Sequence, residues 1–187
     1  MLRKSLYVGI VMLFGALPSW AEQQLVPGKS EIKFSGKQMG VAQEGKFTKF
    51  SAKVNLDPKK PEASRAEISI DLASLDLGSA EANGEVIRPA WFDTAKFPQA
   101  KFVSSGVKTG AGGKLEMRGK LTIKGTTKDV VAPFSMKEAG GATTAGGVIE
   151  IKRLDFKVGD GVWDDLETVA NEVQIRFLLT VSGAPAK

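Results

Sequence analysis

The chain of 187 residues suits one domain plus a processed segment, and it contains neither cysteine nor histidine. Thiol nucleophiles, thiolate zinc sites, disulfides and any Ser-His-Asp arrangement are therefore excluded, and no metal or other cofactor is expected. The net charge of +5 comes from lysines that alternate with carboxylates and apolar residues, not from basic runs interleaved with aromatics, so no nucleic-acid interface is expected.

Arg3 and Lys4 precede a short apolar run from Leu6 to Leu17, and Ser19 and Ala21 place small residues before Glu22. This pattern predicts a secretory signal peptide over residues 1–21, cleaved to leave a single domain at 22–187. The apolar run is too short for a membrane span, which takes about 18 or more residues. Losing Arg3 and Lys4 lowers the charge to +3, a modest excess that fits a solvated surface and allows transient contact with anionic membranes. Without disulfides the mature chain must rely on a real core.

Ile32 and Phe34 alternate in a first strand. Phe50, Ala52, Val54 and Leu56 alternate in a second, with Phe47 out of phase, which predicts a bulge or strong bend between Phe47 and Phe50 that Gly45 permits. Asp57 to Pro61 is a turn, and Ala66, Ile68, Ile70 and Leu72 mark a third strand. From Ser79 to Arg88 the period changes to that of a helix, with Ser79 as cap and Glu81 in the first turn. Pro89 ends it and is placed to start a second short helix through Asp93. A strand is expected around Lys101 to Ser104, then a glycine-rich turn from Gly106 to Gly113 that lacks the lysine and hydroxyl of a phosphate loop.

The clearest stretch is Lys114 to Met136. Leu115, Met117, Gly119, Leu121 and Ile123 share one face, and Lys114, Glu116, Arg118, Lys120, Thr122 and Lys124 the other. After a break at Gly125 to Thr127, Val130, Ala132, Phe134 and Met136 alternate again, so a β-hairpin is predicted. Gly140 to Gly147 reads as a connection, Gly147 to Phe156 as a strand, and Val173, Ile175, Phe177, Leu179 and Val181 as the final strand. Asp160, Asp164, Asp165 and Glu167 lack the spacing of a calcium loop and read as a solvated turn.

The tally is about eight strands with one helical insertion, which suggests an all-β antiparallel barrel. A dense load of charge on the outer face of the key strand, and no paired aromatic girdles, favour a soluble barrel with its apolar side inward over an outer-membrane one. The inward set is Phe34, Phe50, Val54, Ile68, Ile70, Phe102, Met117, Leu121, Ile123, Phe134, Val173, Ile175 and Phe177. Alternation alone leaves open whether these fill a core or surround an apolar slot.

Several segments occur in an order that resembles the YceI family. They are Gly45 to Phe50, Asp71 to Leu75, Trp91 to Pro98, Gly119 to Thr127, Arg153 to Phe156, and Gly161 to Asp164 followed by Val169 to Val173. The resemblance spans about Leu25 to Val181. It implies an eight-stranded, lipocalin-like barrel, usually periplasmic, that binds a polyisoprenoid or fatty-acid-like chain in a long apolar cavity without covalent chemistry. The inward set, with Trp163 of the family-like segment, would then contact the ligand. Trp91 and Phe92, in the helical insertion, would either cover the cavity or plug the barrel. Lys37, Arg88 and Arg153 are candidates for an anionic headgroup, against ordinary surface salt bridges for each. Many family members carry histidine near the first strand, where this chain has Ser30 and Lys37-Gln38, so no headgroup contact of that kind carries over. Two other classes remain: a carboxylate-type hydrolase acting on an envelope amphiphile or sugar, and a filled-core interaction module. A homodimer is left open.

Overall fold

The computed structural model describes residues 23–110 and 113–185. The expected leader, residues 1–21, lies outside them. Among the described residues there are eleven strands: β1 (Gln24–Leu25), β2 (Glu31–Gln38), β3 (Val41–Phe47), β4 (Phe50–Asn55), β5 (Arg65–Asp71), β6 (Leu75–Asp76), β7 (Gln99–Thr109), β8 (Leu115–Ile123), β9 (Thr126–Ala139), β10 (Ala142–Lys152) and β11 (Glu172–Ser182). Among the described residues one α-helix, α1 (Ala80–Val86), and several short 3-10 turns interrupt them. All strands belong to one antiparallel sheet that curls into a barrel, in the order β4-β5-β7-β8-β9-β10-β11-β2-β3-β6, with β1 paired to β11.

The expected all-β barrel with a helical insertion is what the chain forms; the strand count differs. The three additional strands are β1, β3 and β6. β3 shows no alternation because five of its seven residues are exposed, so it carries no apolar stripe. The disruption between Phe47 and Phe50 is a strand break, not a bulge: β3 pairs with β2 and β6, whereas β4 pairs with β5. The bulge of this sheet lies instead in β7, between Ser104 and Gly106.

The hairpin from Lys114 to Met136 forms as its pattern dictates. Met117, Leu121, Ile123, Ala132 and Phe134 are buried, while Lys120 and Asp129 pair at 3.0 Å on the outer surface. The apolar stripe therefore faces inward. Lys124 and Gly125 form the turn with φ of 46° and 72°, the positive pair that a tight two-residue hairpin requires. Two expected connections are shorter than read. β7 continues to Thr109, and β10 begins at Ala142 after the Gly140-Gly141 turn.

Side chains and loops close the sheet between its ends. At one end the Gln23 side-chain amide accepts from Leu56 N at 2.7 Å and donates to Leu56 O at 3.1 Å, imitating a strand partner. At the other, Ser74 accepts from Thr48 N at 3.1 Å and from Lys49 N at 3.0 Å, while Asp71 N donates to Lys49 O at 3.1 Å. These bonds satisfy backbone groups that an unpaired edge would leave open.

The insertion between β6 and β7 is anchored at its start. Ser79 caps α1 by accepting from Ala82 N, and Asn83 Oδ1 accepts from Leu77 N at 2.8 Å. The expected second helix after Pro89 is a series of tight turns: Trp91 N and Asp93 N both donate to Arg88 O, and Phe97 N donates to Asp93 O.

Candidate functional site

The barrel interior is solid at one end and hollow at the other. Where β4, β7, β9 and β11 finish, Val54, Leu56, Val107, Phe134 and Val181 are buried in one cluster with Ala66 and Met117. Where β2, β5, β8 and β10 finish, the walls diverge around a cavity of about 760 Å³. That volume lies within the range of about 300–1,000 Å³ typical of small-molecule sites.

Three groups of elements build the cavity. Strands supply the apolar walls: Phe34 from β2, Ile70 from β5, Leu121 and Ile123 from β8, Ile151 from β10, and Val173 and Ile175 from β11. The insertion and its lead-in add Leu72, Leu75, Leu77, Val86, Trp91 and Phe92. The segment between β10 and β11 adds Phe156, Val158, Trp163, Val169 and Ala170. Exposed polar residues border the opening, with Lys37, Gln38 and Gln43 on the β2–β3 hairpin and Ser79, Glu81 and Arg88 on the insertion.

Arg153 holds the β10–β11 segment in place. It is 3% exposed and spends all five guanidinium donors on backbone carbonyls. Nε donates to Ala170 O at 3.0 Å, Nη1 to Val158 O at 3.0 Å and to Gly159 O, and Nη2 to Trp163 O at 2.6 Å and Val169 O at 2.8 Å. Burial pulls its pKa down, and the nearby Asp164 opposes this only in part. The guanidinium also lies 5.9 Å from the Trp91 ring centre, and Trp91 tilts against Trp163 at 5.5 Å. Trp91 Nε1 is enclosed without a hydrogen-bond partner, so this part of the wall is held by packing.

Lys124 joins the two covering segments. Its ammonium, almost fully buried, donates to Ala90 O at 3.2 Å and Lys157 O at 2.6 Å and pairs with Asp160 at 3.3 Å. Shifted carboxylates lie beside the site and are more acidic than usual. Asp76 is held down by the Gly78 N–H and the Asn83 amide, and Asp165 by the Thr168 hydroxyl and the Glu167 N–H. Both are thus ionised acceptors, Asp76 at the end of β6 and Asp165 in a turn, and not proton donors near neutral pH.

A YceI-like domain model matches residues 23–181. The chain belongs to the YceI family. It is 32% identical over 149 residues to the protein YceI of Salmonella arizonae, covering 76% of this chain and 74% of that one. The structure is similar to that of BcnA from Burkholderia cenocepacia, with a TM-score of 0.81 and 44% identity over 84% of this chain and 99% of that one. A polyisoprenoid binding domain from Saccharophagus degradans, implicated in plant cell wall breakdown, shares the fold at a TM-score of 0.68, with 18% identity over 88% of this chain and 99% of that one.

Within this YceI domain the sequence-derived inward set divides in two. Phe34, Ile70, Leu121, Ile123, Val173 and Ile175 reach the cavity, as do Trp91, Phe92 and Trp163. Val54, Phe102, Met117 and Phe134 do not; they are buried in the core away from the cavity, and Ile68 and Phe177 pack against that core. Their registers place them toward the solid end or under neighbouring side chains. Phe102, for example, crosses Gly119 on the adjacent strand. Phe50 lies on neither wall but in a smaller recess near the sheet opening, with Leu25, Pro27 and Phe47.

The headgroup candidates also separate. Lys37 borders the cavity and makes no ion pair among the described residues. Arg88 is a rim residue paired with Glu85 at 3.2 Å. Arg153 is neither a surface salt bridge nor a free anion binder, because no donor is left over. Leu72 ends the alternating stripe of the expected third strand but is not part of the inward set, and alternation did not reveal Leu75, Leu77, Phe156 and Val158 as wall residues. The available signal was the spacing of apolar residues beside the turns that flank the insertion.

Proposed function

We propose that this protein is a periplasmic carrier that sequesters the tail of a polyisoprenoid or similar long-chain amphiphile, with no covalent change to it. The observation that carries this reading is the apolar cavity at one end of a barrel whose other end is solid. The polyisoprenoid-binding character named for the Saccharophagus domain supports the ligand class, and the expected secretory leader supports the address. Burying one methylene contributes about 0.8 kcal/mol, and micromolar affinity requires about 8 kcal/mol. A few buried isoprene units meet that requirement with little help from the headgroup. Lys37, unpaired at the opening, is the group best placed to meet an anionic headgroup.

Organic extraction and mass spectrometry of protein purified from its native envelope tests the proposal. A long-chain lipid in near-stoichiometric amount supports it. An empty extract, together with no uptake of added long-chain lipids, would refute it.

A further inference from the structure

We propose that the rim of the cavity seats directly on a lipid bilayer, and that it favours zwitterionic over anionic surfaces. The proposal rests on the tail-binding reading for what crosses the contact, but the contact itself has a separate basis. Among the described residues, the four most exposed large hydrophobic side chains are Val162 at 87%, Met39 at 76%, Val41 at 61% and Leu166 at 53%.

All four lie at the hollow end. Met39 and Val41 form the tip of the β2–β3 hairpin, between the rim residues Gln38 and Gln43. Val162 and Leu166 flank the wall residue Trp163. The two segments are tied together, with Met39 N donating to Thr168 O at 2.8 Å and Gln38 bridged to Val169.

These side chains are separate pegs on turns, with polar residues between them. A stable protein interface buries about 800 Å² per partner over a continuous patch. The interfacial zone of a bilayer has no fixed shape to match and takes apolar side chains to a depth of about 5–10 Å. A tail leaving such a surface would enter the cavity beside the pegs without crossing open water.

Charge sets the preference. The two segments that carry the pegs, the tip of the β2–β3 hairpin (residues 37–44) and residues 161–169, expose Glu44, Asp164, Asp165 and Glu167 against Lys37, while Lys96, Lys128, Lys152 and Lys157 lie on other loops and strand ends. The net charge of the whole chain is positive, yet the segments that would touch lipid first are acidic. Anionic headgroups therefore repel it at short range.

The test is sedimentation of the purified protein with phosphatidylcholine vesicles and with vesicles that also contain phosphatidylglycerol. Binding to the first is expected, weakened several-fold by phosphatidylglycerol at low salt and partly restored by added salt. The double variant Met39→Ser, Val162→Ser should lose about tenfold or more in vesicle binding. Its equilibrium uptake of a fluorescent long-chain fatty acid from solution should be unchanged, since neither residue lines the cavity. Asp164→Asn with Glu167→Gln should strengthen binding to the anionic vesicles. Failure of every form to take up the fatty acid would count against tail binding alone, and vesicle sedimentation would still decide the docking. Stronger binding to anionic than to zwitterionic vesicles would overturn the proposal. So would vesicle binding that ignores the double variant. Absence of vesicle binding, with or without self-association through these residues, would overturn it as well.

Discussion

The ring of Phe34 lies across Gly45, its cross-strand partner on β3. A Cβ on Gly45 would meet the ring and, at 3.1 Å, Asp76 O. The backbone cannot yield readily, so Gly45→Ala should push the ring into the cavity that Phe34 lines. The fold should survive with a loss of about 1–3 kcal/mol, typical of overpacking. Affinity should fall most for the longest chains, a pattern that titration with lipids of graded length would show. An equal loss at every length would place the ring's displacement elsewhere.

Arg153 offers a different prediction, because its replacement strands five carbonyls, two of them in buried and three in part-buried hydrogen bonds. Arg153→Lys supplies at most three donors in a shape that does not match the fork. Arg153→Met supplies none. Both should destabilise by several kcal/mol, with about 3–5 kcal/mol expected for methionine on the scale of a broken buried charge site. Thermal unfolding measures this. Uptake of neutral and anionic amphiphiles should fall together, since the guanidinium holds protein and not headgroup. A selective loss of anionic ligands would contradict that assignment.

Gln23 is 4% exposed and is bonded to both polar groups of the Leu56 backbone. Gln23→Ala should cost about 1–3 kcal/mol through those unpaired groups. Hydrogen exchange at Leu56 should accelerate well beyond that in β8 and β9. Unchanged protection at Leu56 would mean that water replaces the amide without penalty.

The acidic turn gives a pH dependence with a definite sign. The carboxyl of Asp165 is held below its ordinary value by the Thr168 hydroxyl and the Glu167 N–H, and the bonds measure 2.7 and 3.1 Å. A folded pKa below the unfolded one adds order that is fully present above the ordinary aspartate value of about 3.9 and is lost as pH falls through the lowered value. The segment from Gly161 to Val169 should therefore loosen in acid, visible as altered Trp163 fluorescence. Asp165→Asn should blunt the change. A transition centred near neutral pH would require another group.

The strong features were legible because local chemistry and tertiary demand agreed. The β8–β9 hairpin had an unbroken period of two and a turn that tolerates positive φ, and α1 had its Ser79 cap. What alternation could not distinguish was the solid half of the barrel from the hollow half. Met117 and Leu121 sit on the same face of the same strand, yet only Leu121 reaches the cavity. Leu121 shares the cavity wall with Trp91 and Phe92 of the insertion, whereas Met117 lies opposite Val107 and Ala132 on its neighbouring strands. Arg153 was equally hidden, since its partners are main-chain carbonyls between residues 158 and 170 that no side-chain pattern announces.

The tail-binding cavity is tested most directly by affinities for a matrix of amphiphiles that vary separately in chain length and headgroup. The apolar walls predict tightening by up to about 0.8 kcal/mol per added methylene, then a plateau once the cavity is full, with little change across headgroups. Affinity that is flat in chain length and steep in headgroup would contradict the account.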